Sequence, residues 1–513
     1  VFSHCNLEFI MLRLLILAIV VLQCTSVYAQ PLREVRGVWL TTNGGMDWPA
    51  GRYDESSQKK LLVEMLDRLA EANFNMVLFQ VQANGDVAWN SSLQPAMESL
   101  TGNGSRSLSY DVCRFVIDEC HKRSMECHAW VVPFRIGSSR NAARYASNKV
   151  KHPLKSHRDL CVLYSGGYYL DPGLPEARKY LLKLYKELIE KYDFDGINLD
   201  YTRYPGDKFN DASSFKAYNP GKLSRDDWRR ANINEFVAQL HDMAKKVRPG
   251  IRVGSAPIGT YKNVDKYKNA TSYFSYQQDP CQWIESGHHD FIIPQMYWNE
   301  DFGFTPNMVT WVNNSCKHPV VVGLAPYKLV DSKWDVDVII DQIEKTRRTD
   351  GVAGVCFFRA EHLLGNNPKI KRLYDALRKD VFNRPAHLPQ FGSNKAPSPR
   401  NVKAEYSNGG YVITWDAPRN CDVRYYSVYL TDDKGVRIDQ APDDIVGFKV
   451  KGNSFNYRSS KKGLKFAVTA FDRDYSESDP VYVNRGKEKS KKHKSKSDSD
   501  NSDERVYVDY DFL

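Results

Sequence analysis

Two carboxylates, Asp195 and Asp200, bracket a short apolar run that has the character of a buried strand. A carboxylate at the carboxyl end of a barrel strand is where barrel enzymes keep acid–base chemistry. The two acids cannot form one catalytic pair, because five residues of extended chain span about 16 Å and an odd separation directs the side chains to opposite faces. We expect Asp195 to be structural, binding turn amides before Gly196, and Asp200 to be catalytic.

The residues around Asp200 fit such a role. Asn198 shares its face of the strand and should lie one layer beneath it. Arg203 follows three residues later, so the alternative is that Asp200 serves only as its salt-bridge partner. Arg203 and Arg135 can also hold an acidic group, such as a lactyl carboxylate or a uronic acid.

The rest of the chain supplies the strands that a barrel needs. Short β-branched or aromatic runs alternate with longer amphipathic segments, which is typical of strand–helix units around a parallel sheet. Eight such runs lie at 35–41, 76–81, 126–132, 196–200, 251–255, 291–297, 319–324 and 352–358. Eight strands predict an α/β fold, a closed (β/α)8 TIM barrel.

Long segments follow the second to fifth of these runs, whereas the connections from helices into strands are short. The long segments are 82–109, 133–172, 201–223 and 256–280. Loops that follow strands all lie at the carboxyl end of a barrel, so these should build one deep face there. Pro175 at a first helical position and Ser224 as an N-cap predict two of the intervening helices.

Five short motifs occur in a fixed order: RGVW at 36–39, QVQANGD at 80–86, LDPGLPEAR at 170–178, DGINLDY at 195–201 and PQMYW at 294–298. Together they resemble the family 10-like glycosyl hydrolases, exported bacterial barrel proteins, one branch of which cleaves peptidoglycan glycan strands stripped of stem peptides. The resemblance covers about residues 33 to 380. It implies a glycosidase acting on a cell-envelope glycan or a related polysaccharide. Asp86 and Asp171 fall in these motifs and are predicted to bind substrate.

Glycosidases usually need a second carboxyl group, about 5 Å from the first in retaining enzymes and roughly 6.5 to 9.5 Å away in inverting ones. Glu361, just past the eighth run, is the first candidate for this second catalytic residue, and Glu300, Asp301 and Asp86 are the alternatives by position. If the substrate is an amino sugar, its N-acetyl group can act as the nucleophile, so that one acid suffices. The end of the fifth run has no glutamate, which motivates a different hypothesis, a non-catalytic glycan-binding or envelope-organising protein.

Aromatic and amide side chains at the predicted strand ends suit sugar binding. Aromatic rings stack on apolar sugar faces, and amides bond hydroxyls through both donor and acceptor atoms. For each aromatic residue, packing in the core is the alternative. The substrate-binding residues predicted in addition to Asp86, Asp171, Asn198 and the two arginines are Gln80, Gln82, Asn84, Trp130, Tyr204, Gln295, Tyr297 and Trp298, with Trp89 and Tyr201 as further aromatic candidates.

Residues 1–29 read as a secretory signal peptide, with Met11 as the natural start, a short apolar run and small residues before a cleavage point after Ala29. The run is too short to span a bilayer comfortably, so no membrane span is expected in the mature protein. A lipoprotein anchor at Cys24 is the alternative, although Gln23 is a poor residue before a lipidated cysteine. We expect export to the periplasm or the outside of the cell.

The predicted domain order is a barrel over 30–382, a Pro-rich linker over 383–398, a β-module over 399–485 and a disordered charged tail over 486–513. The β-module resembles a fibronectin type III domain, an all-β immunoglobulin-like sandwich, with Trp415 as its core aromatic residue. Such modules are more often spacers or contact surfaces than catalytic units. We expect it to contact the envelope or another protein.

Composition argues against several other functions. The net charge of +10 is partly due to the tail, whose lysines have no interleaved aromatic residues, so a solvated tail is favoured over a nucleic-acid site. No P-loop, dinucleotide fingerprint, zincin motif or nucleophile elbow occurs, and no cofactor is expected. His288, His289 and Asp290 lie near a strand start, which argues against a metal site. Eight cysteines of the mature chain are scattered, so isolated thiols are favoured over disulfides, which export would permit.

Overall fold

The computed structural model describes residues 30–103, 106–139, 151–264, 266–390, 394–432, 435–436 and 444–483. The predicted signal peptide, the charged tail and the middle of the predicted linker lie outside these residues. Across the described ranges, no helix combines the length and the apolar character that a bilayer crossing requires.

The strands of the described ranges are β1 (Val35–Leu40), β2 (Met76–Ala83), β3 (Asp86–Val87), β4 (Glu126–Val131), β5 (Arg135–Ser138), β6 (Cys161–Tyr164), β7 (Gly167–Leu170), β8 (Gly196–Asp200), β9 (Arg252–Ala256), β10 (Phe291–Ile292), β11 (Val320–Leu324), β12 (Val352–Phe358), β13 (Arg400–Ser407), β14 (Gly410–Asp416), β15 (Tyr425–Thr431), β16 (Ile445–Val450), β17 (Ser454–Arg458), β18 (Lys465–Phe471) and β19 (Val481–Tyr482).

The α-helices are α1 (Glu55–Glu71), α2 (Glu98–Thr101), α3 (Val112–Lys122), α4 (Pro153–Ser156), α5 (Pro175–Lys191), α6 (Ala212–Ala217), α7 (Arg225–Val247), α8 (Ser272–Ser275), α9 (Pro280–Glu285), α10 (Phe304–Asn313), α11 (Lys328–Asp331), α12 (Val336–Arg347), α13 (Glu361–Leu364) and α14 (Pro368–Ala376). Short 3-10 turns lie at Asn43–Gly45, Arg158–Leu160 and Glu300–Phe302, and a π-turn follows α14 at Leu377–Val381.

Eight parallel strands close into a barrel. Their order is β1-β12-β11-β10-β9-β8-β4-β2, and β2 pairs back with β1, so that Gly37 is aligned with both Met76 and Cys356. These are the eight predicted runs, and the predicted TIM-like barrel is confirmed. The sixth strand is shorter than predicted, because Pro294 has no N–H to donate to a neighbouring strand.

Helices pack around the barrel as the sequence signals indicate. Pro175 begins α5, and Ser224 caps α7 by accepting a hydrogen bond from the Asp227 backbone N–H (3.2 Å). The loops after β2, β4, β8 and β9 all rise at the end of the barrel where the carboxyl ends of the strands meet, which we call the mouth; the opposite end is the base. A three-stranded sheet, β5-β7-β6, lies within the loop after β4.

The β-module consists of two sheets, β13-β14-β17 and β16-β15-β18-β19, whose strand pairs are antiparallel. Side chains from both sheets form one core, in which the ring of Trp415 lies 5.1 Å from that of Tyr426. The module is therefore an all-β, two-sheet unit. Its fibronectin type III identity remains a prediction.

The β-module covers the base of the barrel. Tyr425, Phe471 and Tyr475 of the module belong to the same buried cluster as Val35 and Phe291 of the barrel interior. Ion pairs surround this apolar contact, among them the pair between Arg33 and Glu477 (3.0 Å) and that between Arg424 and Asp195. The module thus completes the barrel core at its base, a contact that was not predicted, and its role as a spacer or contact surface stays a prediction.

Candidate active site

Asp200 ends β8 and directs its carboxylate into the mouth, where only 3% of the residue is exposed. Its Oδ1 accepts hydrogen bonds from the backbone N–H of Tyr201 (2.8 Å) and from Nε2 of Gln295 (2.9 Å). Its Oδ2 accepts one from Nε1 of Trp130 (3.2 Å). Donors from three different barrel strands or their ends therefore fix the position of this carboxyl group.

Burial raises the pKa of the Asp200 carboxyl group above its ordinary value, and the charge of Arg203 and the three hydrogen-bond donors only partly offset this effect. The alternative of a salt bridge is not realised, since no ion pair joins Asp200 to Arg203 in the described part of the chain. A carboxyl group that keeps its proton to higher pH suits a general acid.

Aromatic rings surround Asp200. Tyr201 is half-exposed in a left-handed conformation (φ +50°), and the charge of Asp200 is the largest cause of the raised pKa of its hydroxyl. The ring of Tyr297 lies 5.6 Å from that of Phe358 and 6.0 Å from that of Tyr327. Burial and then Asp200 raise the pKa of Tyr297, so both tyrosines stay protonated and can donate hydrogen bonds.

Two arginines lie beside these aromatic rings, and each has a buried nitrogen atom without a hydrogen-bond partner in the described ranges. The Arg203 guanidinium lies 4.4 Å from the ring centre of Tyr201 and 5.2 Å from that of Tyr276. Its Nη1 is buried and has no hydrogen-bond partner among the described residues, and the same holds for Nε of Arg135. Arg135 is close enough to Tyr201 for its charge to lower the pKa of that hydroxyl. The predicted pair of cations is therefore brought to the mouth.

Asn198 lies in the barrel interior beneath Asp200, on the same face of β8, as the alternation of the strand requires. It is fully buried, and its Oδ1 accepts a hydrogen bond from Nε1 of Trp39 (3.5 Å). Its Nδ2 has no partner within the described ranges. Asn198 is placed to support the layer above it.

A β-bulge separates the two predicted glutamines of β2. The alignment with β4 passes from Gln80 opposite Trp130 to Gln82 opposite Val131, which inserts one extra residue. Gln82 is consequently fully buried, and its Oε1 accepts a hydrogen bond from the Val132 backbone N–H (2.9 Å). Contrary to the prediction, Gln82 is not available to substrate.

Gln80 and Asn84 contact the loop after β1, and Asp86 contacts Glu98 on α2. Oε1 of Gln80 accepts hydrogen bonds from backbone N–H groups of that loop, including Asn43 (2.9 Å), and Nδ2 of Asn84 donates to Oδ1 of Asn43 (2.7 Å). Burial raises the pKa of Asp86 to about 8 despite a hydrogen bond from the Glu98 backbone. These three residues shape the mouth, and no hydrogen bond joins them to Asp200 in the described ranges.

Tyr204 and Asp171 lie beneath the loops, contrary to the prediction that they bind substrate. Tyr204 is fully buried, with its ring 4.9 Å from the guanidinium of Arg229 on α7. Asp171 accepts hydrogen bonds from the Gly173 backbone N–H (2.8 Å) and from Oγ of Ser214 (2.6 Å). The left-handed turn that follows Asp200 directs Tyr204 back under α7, and Asp171 joins two loops.

Trp298 is also directed away from Asp200. It follows Tyr297, whose ring lies among the aromatic rings of the mouth, and it packs instead on Gly259 and the outer core. Its Nε1 is buried without a partner in the described structure. Gln295 and Tyr297 are therefore the two residues of the PQMYW motif that the structure brings to the site.

Glu361, the predicted second carboxyl group, begins α13 with its side chain half-exposed and forms an ion pair with Arg359 (2.6 Å). No described contact joins it to Asp200. The alternatives Glu300 and Asp301 are also occupied elsewhere, because Glu300 pairs with Lys345 (2.9 Å) and Asp301 accepts a hydrogen bond from Asn299 (2.9 Å). Within the described ranges, no hydrogen bond or ion pair joins Asp200 to a second carboxyl group.

Asp47 is a buried carboxylate that sequence reasoning missed. It accepts hydrogen bonds from the backbone N–H groups of Thr41 (2.8 Å) and Glu361 (3.0 Å) and pairs with Arg359, so it ties the end of β1 to the end of β12. Burial raises its pKa to about 6. Tyr276 and Tyr327 were missed as well. Both residues lie in loops that follow barrel strands, and this position could have identified them as residues of the mouth.

Among the described residues, no group of three or more His, Cys, Asp or Glu side chains is placed to hold a metal ion. The eight cysteines of these ranges are all free thiols, most of them buried.

Comparison with known proteins identifies the family. The sequence matches the family described as Glycosyl hydrolase-like 10 over residues 34–331, a span that ends before β12 and is shorter than the motifs had indicated. It is 30% identical to Glycosyl hydrolase YngK of Bacillus subtilis (strain 168), over 88% of this chain and 93% of that protein. It is 28% identical to Glycosyl hydrolase DigH of Escherichia coli (strain K12), over 68% of this chain and 88% of that protein.

Among solved structures, the glycoside hydrolase domain of PgaB (BpsB) from Bordetella bronchiseptica is similar over 68% of this chain and 99% of that one, with 15% identity and a TM-score of 0.47. The match to the family extends over more than half of the sequence, and one relative is 30% identical along nearly its whole length. This chain belongs to the glycosyl hydrolase-like 10 family.

Proposed function

We propose that this protein is an exported glycoside hydrolase that cleaves glycosidic bonds in a cell-envelope glycan, either peptidoglycan glycan strands or a related polysaccharide. The observation that supports it most is the setting of Asp200, a buried carboxyl group of raised pKa that faces a mouth lined by tyrosines. Membership of a glycosyl hydrolase-like family supports the same reaction class.

In this proposal Asp200 is the principal catalytic carboxylate and acts as the general acid. It donates a proton to the glycosidic oxygen while the bond from that oxygen to the anomeric carbon breaks. The N–H groups of Trp130, Gln295 and Tyr201 then stabilise the carboxylate that remains. The donors thus favour the charge that develops during the reaction.

The nucleophile in this proposal is the substrate's own N-acetyl group. No hydrogen bond or ion pair in the described ranges joins Asp200 to a second carboxyl group, and the predicted partner Glu361 is paired with Arg359, so the proposal takes the nucleophile from the substrate. The acetyl oxygen attacks the anomeric carbon as the leaving sugar departs, and water then opens the cyclic intermediate. The substrate is accordingly a glycan of N-acetylated amino sugars.

Arg135 and Arg203 supply recognition of an acidic substituent. Both guanidinium groups have a buried nitrogen without a partner in the described ranges, and both lie next to Tyr201. A lactyl carboxylate, or the carboxylate of a uronic acid, fits this chemistry. Tyr201 and Tyr297 stack on the sugar rings beside it.

The test uses purified glycan strands and counts new reducing ends. Asp200→Asn should lower the rate of release by roughly 10²–10⁴-fold, the usual contribution of a general acid. Asp301→Asn, which changes an exposed acid at the same end of the barrel, should leave the rate unchanged. A fully active Asp200→Asn variant would remove this residue from the mechanism. Strands stripped of their acetyl groups should resist the wild-type enzyme if the acetyl oxygen is the nucleophile.

A second candidate function is glycan binding without catalysis. The half-exposed position of Glu361 and its ion pair with Arg359 favour it, because no described contact joins this predicted second carboxyl group to Asp200. Under this alternative the wild-type protein sediments with insoluble glycan and releases no reducing ends. Release of reducing ends that Asp200→Asn abolishes would reject it.

The β-module provides a separate surface for the proposed contact with the envelope or another protein. Every second residue of β14 from Val412 onward is exposed, so one face of the β13-β14-β17 sheet is open to solvent while the other packs on the module core. Deleting the module would disturb the barrel base, so charge reversals at exposed positions such as Lys403 and Glu405 are the sharper test. They should weaken co-sedimentation with envelope material without changing the cleavage rate.

A further inference from the structure

A set of aromatic residues continues away from Asp200 along one side of the mouth. Tyr201, in the loop after β8, is 51% exposed, and Phe274, on α8 in the loop after β9, is 55% exposed. Partly buried Tyr276 lies near Phe274 in sequence and shares Arg203 with Tyr201. Single exposed aromatic residues need no explanation. Several aromatic residues in two neighbouring loops beside a candidate catalytic residue do.

The connection runs through Arg203. Its guanidinium lies 4.4 Å from the ring centre of Tyr201 and 5.2 Å from that of Tyr276, so one cation is flanked by both rings. Tyr276 is in turn two residues from Phe274. The set therefore extends from the end of β8 to the loop after β9, with Arg203 as its junction.

The two loops are held rigidly with respect to each other. Nε2 of Gln278, in the loop after β9, donates a hydrogen bond to the carbonyl oxygen of Thr202 in the loop after β8 (3.2 Å). Oγ1 of Thr271 caps α8 by accepting the backbone N–H of Phe274 (3.0 Å), and the ring of Phe274 lies 4.9 Å from that of Tyr273. The exposed ring is thus fixed in place, and its immobilisation on binding requires little loss of conformational entropy.

Positive charge accompanies these rings. The guanidinium of Arg230 and the ammonium of Lys262 each lie 4.3 Å from the ring centre of Tyr273, whose ring in turn packs against that of Phe274. Aromatic faces next to cations suit sugars that carry acidic or acetamido groups, because rings stack on the apolar sugar face and cations bind its oxygen atoms. The occupant that fits this surface is the same polymer that enters the mouth.

We propose that Tyr201, Tyr276 and Phe274 form an extended glycan-binding strip that holds several sugars of the strand cleaved at Asp200, so that the protein selects long strands over short ones. This inference rests on the proposed function. It adds that recognition reaches beyond the sugars next to the scissile bond, and it assigns Phe274 as a residue that determines chain-length preference.

The experiment compares kcat/KM on a short oligosaccharide, too short to reach from Asp200 to Phe274, and on long strands. Phe274→Ala should lower kcat/KM on long strands about tenfold, which is a typical value for one lost stacking contact. The short oligosaccharide should be cleaved at the wild-type rate. Phe274→Trp, which keeps an aromatic face, should restore the preference for long strands.

Tyr53→Ala is the matched control, because Tyr53 is also 55% exposed at the mouth but lies in the loop after β1, across the barrel from β9. It should behave as the wild type on both substrates. If Phe274→Ala lowers kcat/KM equally on both substrates, or on neither, the proposed glycan-binding strip is wrong. If the wild type cleaves neither substrate, the proposed hydrolase function fails instead. Retention of long strands in a sedimentation assay, weakened by Phe274→Ala but not by Tyr53→Ala, would still support the strip.

Discussion

Asp195 and Asp200 lie at the two ends of one strand and are both buried, yet only Asp195 is paired with a cation. Asp195 at the base accepts hydrogen bonds from the Cys127 backbone N–H (2.8 Å) and from Nε2 of His121 (2.8 Å) and forms an ion pair with Arg424 of the module. Asp200 at the mouth has neutral donors and no ion pair in the described structure. The same residue type on the same strand is therefore structural at one end and chemically available at the other.

The pKa values follow this difference. Burial would raise the pKa of Asp195, but Arg424 and His121 lower it well below its usual range. Burial raises the pKa of Asp200, and Arg203 acts only through its charge. Both carboxylates of this strand are buried, so between Asp195 and Asp200 the paired cation accounts for the opposite directions of the shift.

The largest expected effect is a separation of activity from stability at the mouth. Asp200→Asn should reduce cleavage by roughly 10²–10⁴-fold while the melting temperature stays the same or rises, since the raised pKa shows that folding disfavours its charged form. Thermal unfolding at pH 7 checks this alongside the rate. A variant that loses activity because it unfolds would erase the distinction between the two ends.

At the base we expect the opposite result, a loss of stability without a loss of activity. Arg424→Ala leaves the buried Asp195 without its main cation, which typically costs about 3–5 kcal/mol of unfolding free energy. Denaturant unfolding measures this loss, and kcat at a temperature where the variant is folded should be unchanged. Arg419→Ala, at an exposed module position, is the control and should have no effect. A stable Arg424→Ala variant would mean that module docking contributes little.

A smaller effect should sharpen the assignment of Asp200. Trp130→Phe removes one N–H donor to the carboxylate and should lower kcat by about tenfold, the value of one hydrogen bond to a charged group. Because that donor lowers the pKa of Asp200, its loss should move the alkaline limb of the pH–rate profile to higher pH. An unshifted limb would assign that limb to another group.

The smallest expected effect concerns acid stability. The lowered pKa of Asp195 contributes stability that is complete above the unfolded value of about 3.9 and is lost as pH falls from there through the folded pKa. Loss of Arg424 raises the folded pKa of Asp195, so the difference in unfolding free energy between wild type and Arg424→Ala should shrink as acid protonates this carboxylate in the variant but not yet in the wild type. Unfolding curves from pH 7 to pH 3 measure it. A constant difference over this range would contradict the coupling.

Much of the scaffold was predictable because it depends on local pattern. Eight β-branched or aromatic runs correspond to the eight barrel strands, and the alternation along β8 correctly placed Asn198 beneath Asp200. Gln82 was predicted to bind substrate, but a β-bulge inserts one residue into β2 between Gln80 and Gln82, and the Gln82 side chain is buried against Val132. Nothing in the local sequence marks that bulge.

The loops were less predictable. Tyr204 stood four residues after Asp200 with polar neighbours, which suggested a sugar contact, but the left-handed turn at Tyr201 carries it under α7. Asp195 was expected to bind turn amides and instead bridges a neighbouring strand and the module. Contacts between residues far apart in sequence decided both positions.

The sequence by itself determined the barrel, the strand that ends in Asp200 and the opposite faces of its two acids, because strand period and hydrophobic pattern are local properties. Tertiary structure alone decided which carboxylates find cations, which loop residues reach the mouth and how the β-module closes the base. These outcomes depend on pairing and burial between distant segments, and the pKa of a carboxyl group is set by that environment.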